Sequence, residues 1–478
     1  MKVLSVASEC VPFVKTGGLA DVVGALPRVM GGQGVDMRVL LPGYPRVMEA
    51  IGADGGRTVM EDETLFGGQG RVIRARARQV ELLVLDAPHL YDREGSPYLG
   101  PDGRDWPDNP ERFAALSWMA ARIAKEGVEG WRPDVVHGHD WQAGLAPYYL
   151  AKHGCDVPTV LTVHNIAFHG AAPAGRLTAL RLDPVDFVQE GGFEFYGGIN
   201  ALKAGLIWSD RITTVSPTYA RELTRPEFGA GLDGVIRTRA GRLSGILNGI
   251  DTDAWNPATD PALSSRYRTP RGKAKNRAAL REEFGLPRAK GPLACVVSRL
   301  TEQKGLDLLL QSLPALLERG GQLVLLGAGD VALERAWRTA AEAHAGVAVH
   351  IGYDEAMAHR LIAGADAILV PSRFEPCGLT QLYALRYGTI PLVALTGGLA
   401  DTVIPASPAA LAAGASTGVQ VHPLTADTLA LGLMDLCALF EDRATWARMQ
   451  DNAMAQPVGW DTSAAAYARL YREVVEAQ

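Results

Sequence analysis

Residues 15–21 read Lys15-Thr16-Gly17-Gly18-Leu19-Ala20-Asp21, and the last six return as Thr396-Gly397-Gly398-Leu399-Ala400-Asp401. In both places an apolar run (residues 2–7 and 390–394) lies upstream of the paired glycines, and a helix-like pattern follows. A glycine turn leading from a buried strand into a helix is a recurring corner of doubly wound sheets. The same corner in each half of the chain predicts two such sheets.

Working outward, aliphatic runs at 37–41, 81–86, 135–138, 159–164 and 211–215 read as further strands, with helical patterns over 111–126 and 144–152 among them. The alternation restarts after about residue 245. Runs at 293–298, 322–326, 348–351, 367–370 and 390–394 read as buried strands, separated by helical stretches at 306–318, 333–345 and 381–387. Strand–helix alternation predicts parallel sheets wrapped by helices. The expected fold class is therefore α/β, with two doubly wound, Rossmann-like domains at residues 1–245 and 246–478. The Arg-, Pro- and Lys-rich stretch 260–290 reads as a surface excursion, and 463–476 as a final helix. Ligands bind doubly wound sheets outside the carboxyl ends of the strands. If the domains face a central cleft, chemically useful residues should follow strands in both halves.

The 478 residues exceed what one hydrophobic core organises. Hydrophobic residues make up 47% and charged ones 21%, a globular composition. A net charge of -6 gives no reason to expect nucleic acid, so an anionic ligand must be met locally by a few cations or backbone amides. Cys10, Cys155, Cys295, Cys377 and Cys437 are far apart and form no C-x-x-C pair, which argues against a disulfide framework or structural zinc and fits a reducing cytosol. The opening MKVLSVAS is interrupted too soon by Glu9 and Lys15 for a signal peptide, and no apolar stretch reaches membrane-spanning length. A cytoplasmic protein without a membrane partner is expected.

Four constellations carry candidate chemistry. Lys15 beside Gly17-Gly18 offers a phosphate a point charge, open backbone and the N–H groups of a helix start. The glycines alone would equally serve a plain turn. Neither G-x-G-x-x-G nor the P-loop is matched, which disfavours a dinucleotide or magnesium-nucleotide site. The second constellation is His137-Gly138-His139-Asp140-Trp141 with His164-Asn165. Histidines beside an aspartate raise a metal site, as does Asp251-Thr252-Asp253. Both are set aside: an irregular strand end would let His137 and His139 straddle the sheet, and the D-x-D lies in a turn-like run. Asp140, His164 and Asn165 suit a polyhydroxylated substrate, which needs donors and acceptors together.

The third is Ser298-Arg299-Leu300-Thr301-Glu302-Gln303-Lys304-Gly305, where two cations at a strand end and helix start point to an anionic group, against the plainer alternative of surface ion pairs. The fourth, Pro371 to Thr380, holds Glu375 at a strand end, where it can stabilise positive charge or bond to hydroxyls. Cys377 has no histidine near it in sequence to activate it as a nucleophile and reads as a packed or backbone-contributing residue.

Together, KTGGLADVVGALP, HGHDWQAG, VHNIAF, ITTVSPTYARE, GILNGIDTDAWNPATD, SRLTEQKGLDLLL and PSRFEPCGLTQLYALRYGTIPLVALTGGLADTV resemble the bacterial glycogen synthases and plant starch synthases over essentially the whole chain. The resemblance implies the GT-B architecture and a retaining transfer of glucose from ADP-glucose to the non-reducing 4-hydroxyl of an α-1,4-glucan, elongating glycogen and releasing ADP. It implies that no metal or other cofactor takes part. It makes residues 1–245 the starch synthase catalytic domain with the acceptor side, and 246–478 the nucleotide-sugar-binding domain, with helix 463–476 crossing back to the first. Position by position, it assigns Lys15, Gly17 and Gly18 to the donor-phosphate loop and Arg299 and Lys304 to the diphosphate. Asp140, His164, Asn165 and Asn248 match the glucose pocket, and Tyr353 matches an aromatic that stacks on adenine. Glu375 matches the carboxylate critical for catalysis, forming the expected catalytic set with His164, Arg299 and Lys304. Cys377, Gly378, Leu379 and Thr380 match contacts near sugar and phosphate.

Two departures stand out: His169 where glutamine is expected, and Gln456-Pro457-Val458-Gly459-Trp460 before the last helix. A glucan phosphorylase would share the plan but need a lysine for pyridoxal phosphate and usually a longer chain. A catalytically silent glucan-binding protein would have no use for Lys15, Arg299, Lys304 and Glu375 together. The second copy, Thr396-Gly397-Gly398, is expected as a cleft-lining turn with sugar or acceptor contact.

Overall fold

The computed structural model describes residues 1–52 and 55–477. Its frame begins with β1 (Lys2–Val6), in which Val3, Leu4, Ser5 and Val6 are all fully buried. A strand buried on both faces belongs inside a helix-covered parallel sheet, and β1 lies there. It is followed by β2 (Asp36–Pro42), β3 (Gly56–Leu65), β4 (Gly68–Ala77), β5 (Val80–Asp86), β6 (Val135–His139) and β7 (Thr159–Val163). The short β8 (Ala171–Pro173), β9 (Glu194–Phe195) and β10 (Gly198–Asn200) make a separate antiparallel sheet in the order β8-β10-β9. β11 (Arg211–Thr214) and β12 (Leu243–Gly245) complete the main sheet, ordered β12-β11-β7-β6-β1-β2-β5-β4-β3. It is parallel from β12 to β5, and the β3–β4 hairpin extends it antiparallel.

A second sheet is formed by β13 (Leu293–Val297), β14 (Gln322–Gly327), β15 (Val347–Ile351), β16 (Ala367–Val370), β17 (Ile390–Ala394) and β18 (Val419–Val421). All neighbours are parallel, in the order β15-β14-β13-β16-β17-β18. Counted within the sheet this is 3-2-1-4-5-6, an order that reverses between its first and fourth strands and opens a ligand crevice there. In the first sheet the corresponding reversal lies between β1 and β6.

The chain separates into two compact units at Asn248/Gly249, three residues beyond the boundary read from sequence, and the stretch from Trp460 onward belongs with the first unit. That stretch carries the helix Asp461–Glu476, whose Tyr467, Tyr471 and Val474 share a core with Val22, Leu26, Val135 and Val160. Residues 260–290 are better anchored than a surface excursion. Lys273, on the helix Lys273–Glu283, is buried and donates to the carbonyls of Ala363 (2.8 Å) and Ile362 (3.2 Å) and to Thr389 Oγ1 (2.7 Å). Asp260 is likewise buried and accepts from Tyr387 Oη at 2.5 Å.

Candidate active site

In the second unit, both loops that border the reversal point carry predicted residues. After β13 the chain passes Ser298 and Arg299 and makes a short turn at Glu302–Lys304. It then enters the helix Leu306–Leu317 through Gly305 at φ 63°. A Cβ at Gly305 would lie 2.0 Å from the Pro371 carbonyl, so this corner closes onto the loop after β16 only with glycine. The two loops are stitched together: Gln303 Nε2 donates to the Phe374 carbonyl (3.0 Å) and the Arg373 amide to the Gln303 carbonyl (2.8 Å). Arg373 also makes a two-pronged pair with Asp307, 2.7 Å on each arm.

That stitching brings Lys304 and Glu375, 71 positions apart, into a 2.5 Å ion pair between Nζ and Oε2. Ser372 Oγ donates to the same carboxylate oxygen at 2.9 Å. The pair borders a cavity of about 180 Å³ lined also by Arg299, Ser372, Gly378, Leu379 and Thr380. Lys304 is thus held by a carboxylate, in an ion pair that is largely buried and not on the surface, where the sequence weighed an anionic ligand against a surface ion pair. Arg299 is exposed; its carbonyl accepts from Ser298 Oγ (3.0 Å) and the Thr301 amide (3.1 Å), and its guanidinium has no hydrogen bond or ion pair with any described residue. The Cys377 side chain is buried; its carbonyl accepts from Gln381 Nε2 at 3.1 Å, as does that of Gly378 at 2.9 Å. Tyr353 lies two residues beyond β15 and is 82% exposed.

The second Thr-Gly-Gly packs on this loop. Gly398 N–H is shared between the Glu375 and Pro376 carbonyls, both at 3.1 Å. Cβ atoms added at Gly397 and Gly398 would lie 1.9 Å from the Glu375 carbonyl and 2.1 Å from that of Cys377. Both glycines are buried, so this turn supports the Glu375 loop, a packing role that the expected cleft-lining turn with sugar or acceptor contact did not include.

In the first unit, the loop after β1 and the residues ending β6 and β7 are the ones brought together. Asp140 follows β6 at φ 55° and accepts at Oδ1 from the amides of His164 (2.6 Å) and Asn165 (3.4 Å). A positive φ in an aspartate is uncommon and is held here by those bonds. Burial pushes the Asp140 carboxyl up to about 7, the Glu9 charge adds to the shift, and the two amides oppose it. Burial also lowers the His137 and His164 imidazoles to about 3. His137 and His139 do not straddle the sheet: both are fully buried with ring centroids 4.2 Å apart. His137 is bonded to Tyr471 Oη (2.7 Å) and Thr162 Oγ1 (2.6 Å). Asn248 is buried, and its Oδ1 has no hydrogen-bond partner among the described residues.

Glu9, read in the sequence only as a charge that interrupts an apolar start, proves central to the first glycine loop. It is 3% exposed and accepts from the amides of Thr16 and Gly17, from Thr16 Oγ1 (2.5 Å) and from Tyr98 Oη (2.5 Å). Lys15 pairs with Asp21 at 2.8 Å and remains 42% exposed. Ser372, Gln381 and Tyr98 were also not singled out; the first two lie within or beside the 371–380 run, whereas Tyr98, 89 positions from Glu9, carried no sequence signal. Asp251 Oδ1 accepts from the amides of Asp253 (2.9 Å) and Ala254 (3.0 Å), the turn expected for the D-x-D run.

The family model for the starch synthase catalytic domain matches residues 2–238, and that for group 1 glycosyl transferases matches 278–453. The chain is 64% identical over 471 residues to a glycogen synthase of Paracoccus denitrificans, covering 98% of each. It is 59% identical to one of Jannaschia, again covering 98% of each. Among solved structures it is similar to the catalytic domain of starch synthase IV from Arabidopsis thaliana, bound to ADP and acarbose. That match has a TM-score of 0.85 and 31% identity and covers 99% of both chains. Sucrose-phosphate synthase from Thermosynechococcus elongatus, 19% identical with a TM-score of 0.61 over the whole of both chains, shares the fold.

Proposed function

The chain belongs to the bacterial glycogen synthase and starch synthase family, and from that premise we propose how its residues divide the reaction. It is a GT-B glycosyltransferase that moves glucose from ADP-glucose to the non-reducing 4-hydroxyl of an α-1,4-glucan and releases ADP. The observation that carries the division of labour is the Lys304–Glu375 pair bordering the reversal-point cavity, with Arg299 beside it.

Cleaving the bond between the anomeric carbon and the phosphate oxygen builds positive charge on the carbon and negative charge on the departing ADP. Arg299 and Lys304 stabilise the latter, and cations fixed in advance of the reaction are effective because they need not reorganise. The family resemblance adds Lys15 and the Gly17-Gly18 loop to that task. Glu375 holds the Lys304 ammonium in place and puts a carboxylate near the sugar, where it favours the oxocarbenium-like centre. With retention of configuration, the acceptor oxygen approaches the face the phosphate leaves. The C1–O(phosphate) bond breaks, the C1–O4 bond forms, and the hydroxyl proton passes to the leaving phosphate oxygen. Asp140, His164, Asn165 and Asn248 bind the glucosyl hydroxyls, and Tyr353 stacks on adenine. Three side-chain cations do the work that a divalent ion does elsewhere, so transfer should persist in EDTA. A cytoplasmic location fits this reading; no helix among the described residues is long and apolar enough to cross a membrane.

The test is transfer of labelled glucose to glycogen from ADP-glucose and from UDP-glucose in parallel. Transfer from ADP-glucose at least about tenfold faster, a difference of roughly 1.4 kcal/mol in transition-state binding, is the expected result. Equal rates, or none from ADP-glucose, would refute it.

A further inference from the structure

A hydroxyl and two imidazoles form a line inside the first unit. Ser5 Oγ lies 3.1 Å from His139 Nε2, and His139 Nδ1 lies 3.0 Å from His164 Nε2. Ser5 and His139 are fully buried, on β1 and β6. Burial lowers both imidazole pKa values, that of His164 to about 3, so both rings are neutral near pH 7. A neutral imidazole has one N–H and one lone pair, so the protons along this line are not independent.

Two arrangements are possible. In the first, His164 carries its proton on Nε2 and donates to His139 Nδ1. His139 must then carry its own proton on Nε2, directed at Ser5 Oγ. The serine oxygen is thereby made an acceptor, and its O–H is left with no acceptor, because Ser5 Oγ has no other hydrogen-bond partner among the described residues. An orphaned donor at a fully buried site costs the full desolvation of the group. In the second, Ser5 donates to His139 Nε2 and His139 Nδ1–H donates to His164 Nε2, which satisfies both buried members of the line and leaves only the Nδ1–H of the half-buried His164 without a partner among the described residues.

We propose that Ser5 and His139 are positioning residues that fix His164 as the Nδ1–H tautomer, making its remaining ring nitrogen a neutral hydrogen-bond donor to a substrate oxygen. The consequence for the reaction rests on the reading above that His164 lines the glucose pocket. A neutral donor suits that place: it can hold a sugar oxygen without setting a full positive charge beside an anomeric carbon that is itself becoming positive. An acceptor nitrogen would instead compete for the hydroxyl protons.

The experiment is imidazole ¹⁵N NMR on the full-length protein labelled at histidine, with the His164 signals identified by their loss in His164→Gln. The expected spectrum shows His164 with Nδ1 protonated and Nε2 bare. A protonated Nε2 in the wild-type protein would overturn the proposal without any activity measurement. In Ser5→Ala the same signals should shift toward a mixture of tautomers, with kcat falling about tenfold, the scale of one misplaced hydrogen bond, and the KM for ADP-glucose changing less than about twofold. An unchanged tautomer in Ser5→Ala would remove Ser5 from the account. Should His164→Gln transfer glucose at the wild-type rate, the pocket assignment would fail while the tautomer assignment stood.

Discussion

Gly17 and Gly397 occupy the same place in the two copies of Thr-Gly-Gly-Leu-Ala-Asp, yet their surroundings are opposite. Around Gly17 a side chain would meet nothing within 4 Å; at Gly397, with φ 44°, it would meet the Glu375 carbonyl at 1.9 Å. The residues ahead of them differ in kind. Lys15 and Leu395 are both 42% exposed, the first as a cation paired with Asp21 and the second as an aliphatic side chain. In the first copy the loop amides of Thr16 and Gly17 bond to a side-chain carboxylate, Glu9; in the second, Gly398 bonds to backbone carbonyls of the loop that bears Glu375. One corner geometry therefore serves an open loop in one unit and a packed support in the other. A glycine turn is recognised from sequence by its backbone freedom, and that freedom does not say whether ligand or protein will fill the space it leaves.

The comparison can be broken at the group the second copy supports. Glu375→Ala should lower kcat by about a thousandfold, the scale of one fixed electrostatic stabiliser, while ADP affinity by calorimetry changes only a few-fold. Equal losses in both would make Glu375 a binding residue. Next in size is Gln381→Leu, which removes the amide donated to the Cys377 and Gly378 carbonyls. A loop displaced by about an ångström should cost kcat up to about a hundredfold, read in the same assay, and a wild-type kcat would show that the loop is held without this amide. Lys15→Ala tests the open copy. Its ion pair is exposed and worth little to folding, so the melting temperature should hold while the KM for ADP-glucose rises about tenfold, the effect of one charge-assisted contact.

The smallest expected effect is on stability against pH. His137 and His164 have folded-state pKa values near 3, below the ordinary 6.5. The stability they contribute is complete above about pH 6.5 and is lost as pH falls toward 3. Asp140, raised to about 7 from 3.8, acts oppositely: its contribution is complete below 3.8 and is lost as pH rises through 7. With His139, His153 and His169 also lowered by burial, five histidines oppose one aspartate, so the first unit should melt at lower temperature as pH falls below 6.5. Calorimetry should show a shift of about 2–4 °C for each kcal/mol lost in a unit of this size; a melting temperature flat from pH 7 to 5 would contradict it.

Much of the second unit was legible because its central strands are buried on both faces and read as unbroken aliphatic runs. The run at 293–298 became Leu293–Val297, and those at 367–370 and 390–394 kept their limits. The hairpin of β3 and β4 was not read, because Glu61, Asp62, Glu63, Arg71, Arg74 and Arg76 break its pattern with charge. The helices Ala426–Glu441 and Arg443–Met454 were likewise left unassigned. At the site, Lys304 and Glu375 could each be picked out as following a strand. Their pairing could not, since it depends on β13 and β16 being neighbours in the sheet. Glu9 was missed for a related reason: a carboxylate eight positions before Gly17 signals nothing until the loop folds back over it.

The most direct test of the division between the copies is to make Gly17→Ala and Gly397→Ala and measure melting temperature, kcat and the KM for ADP-glucose on both. The account predicts that Gly17→Ala melts like the wild type and keeps its kcat, with only the donor KM raised. It predicts that Gly397→Ala, if it folds, melts lower and loses about a hundredfold in kcat, and that failure of Gly397→Ala alone to fold would point the same way. Equal melting temperatures and equal kcat for the two variants would contradict it.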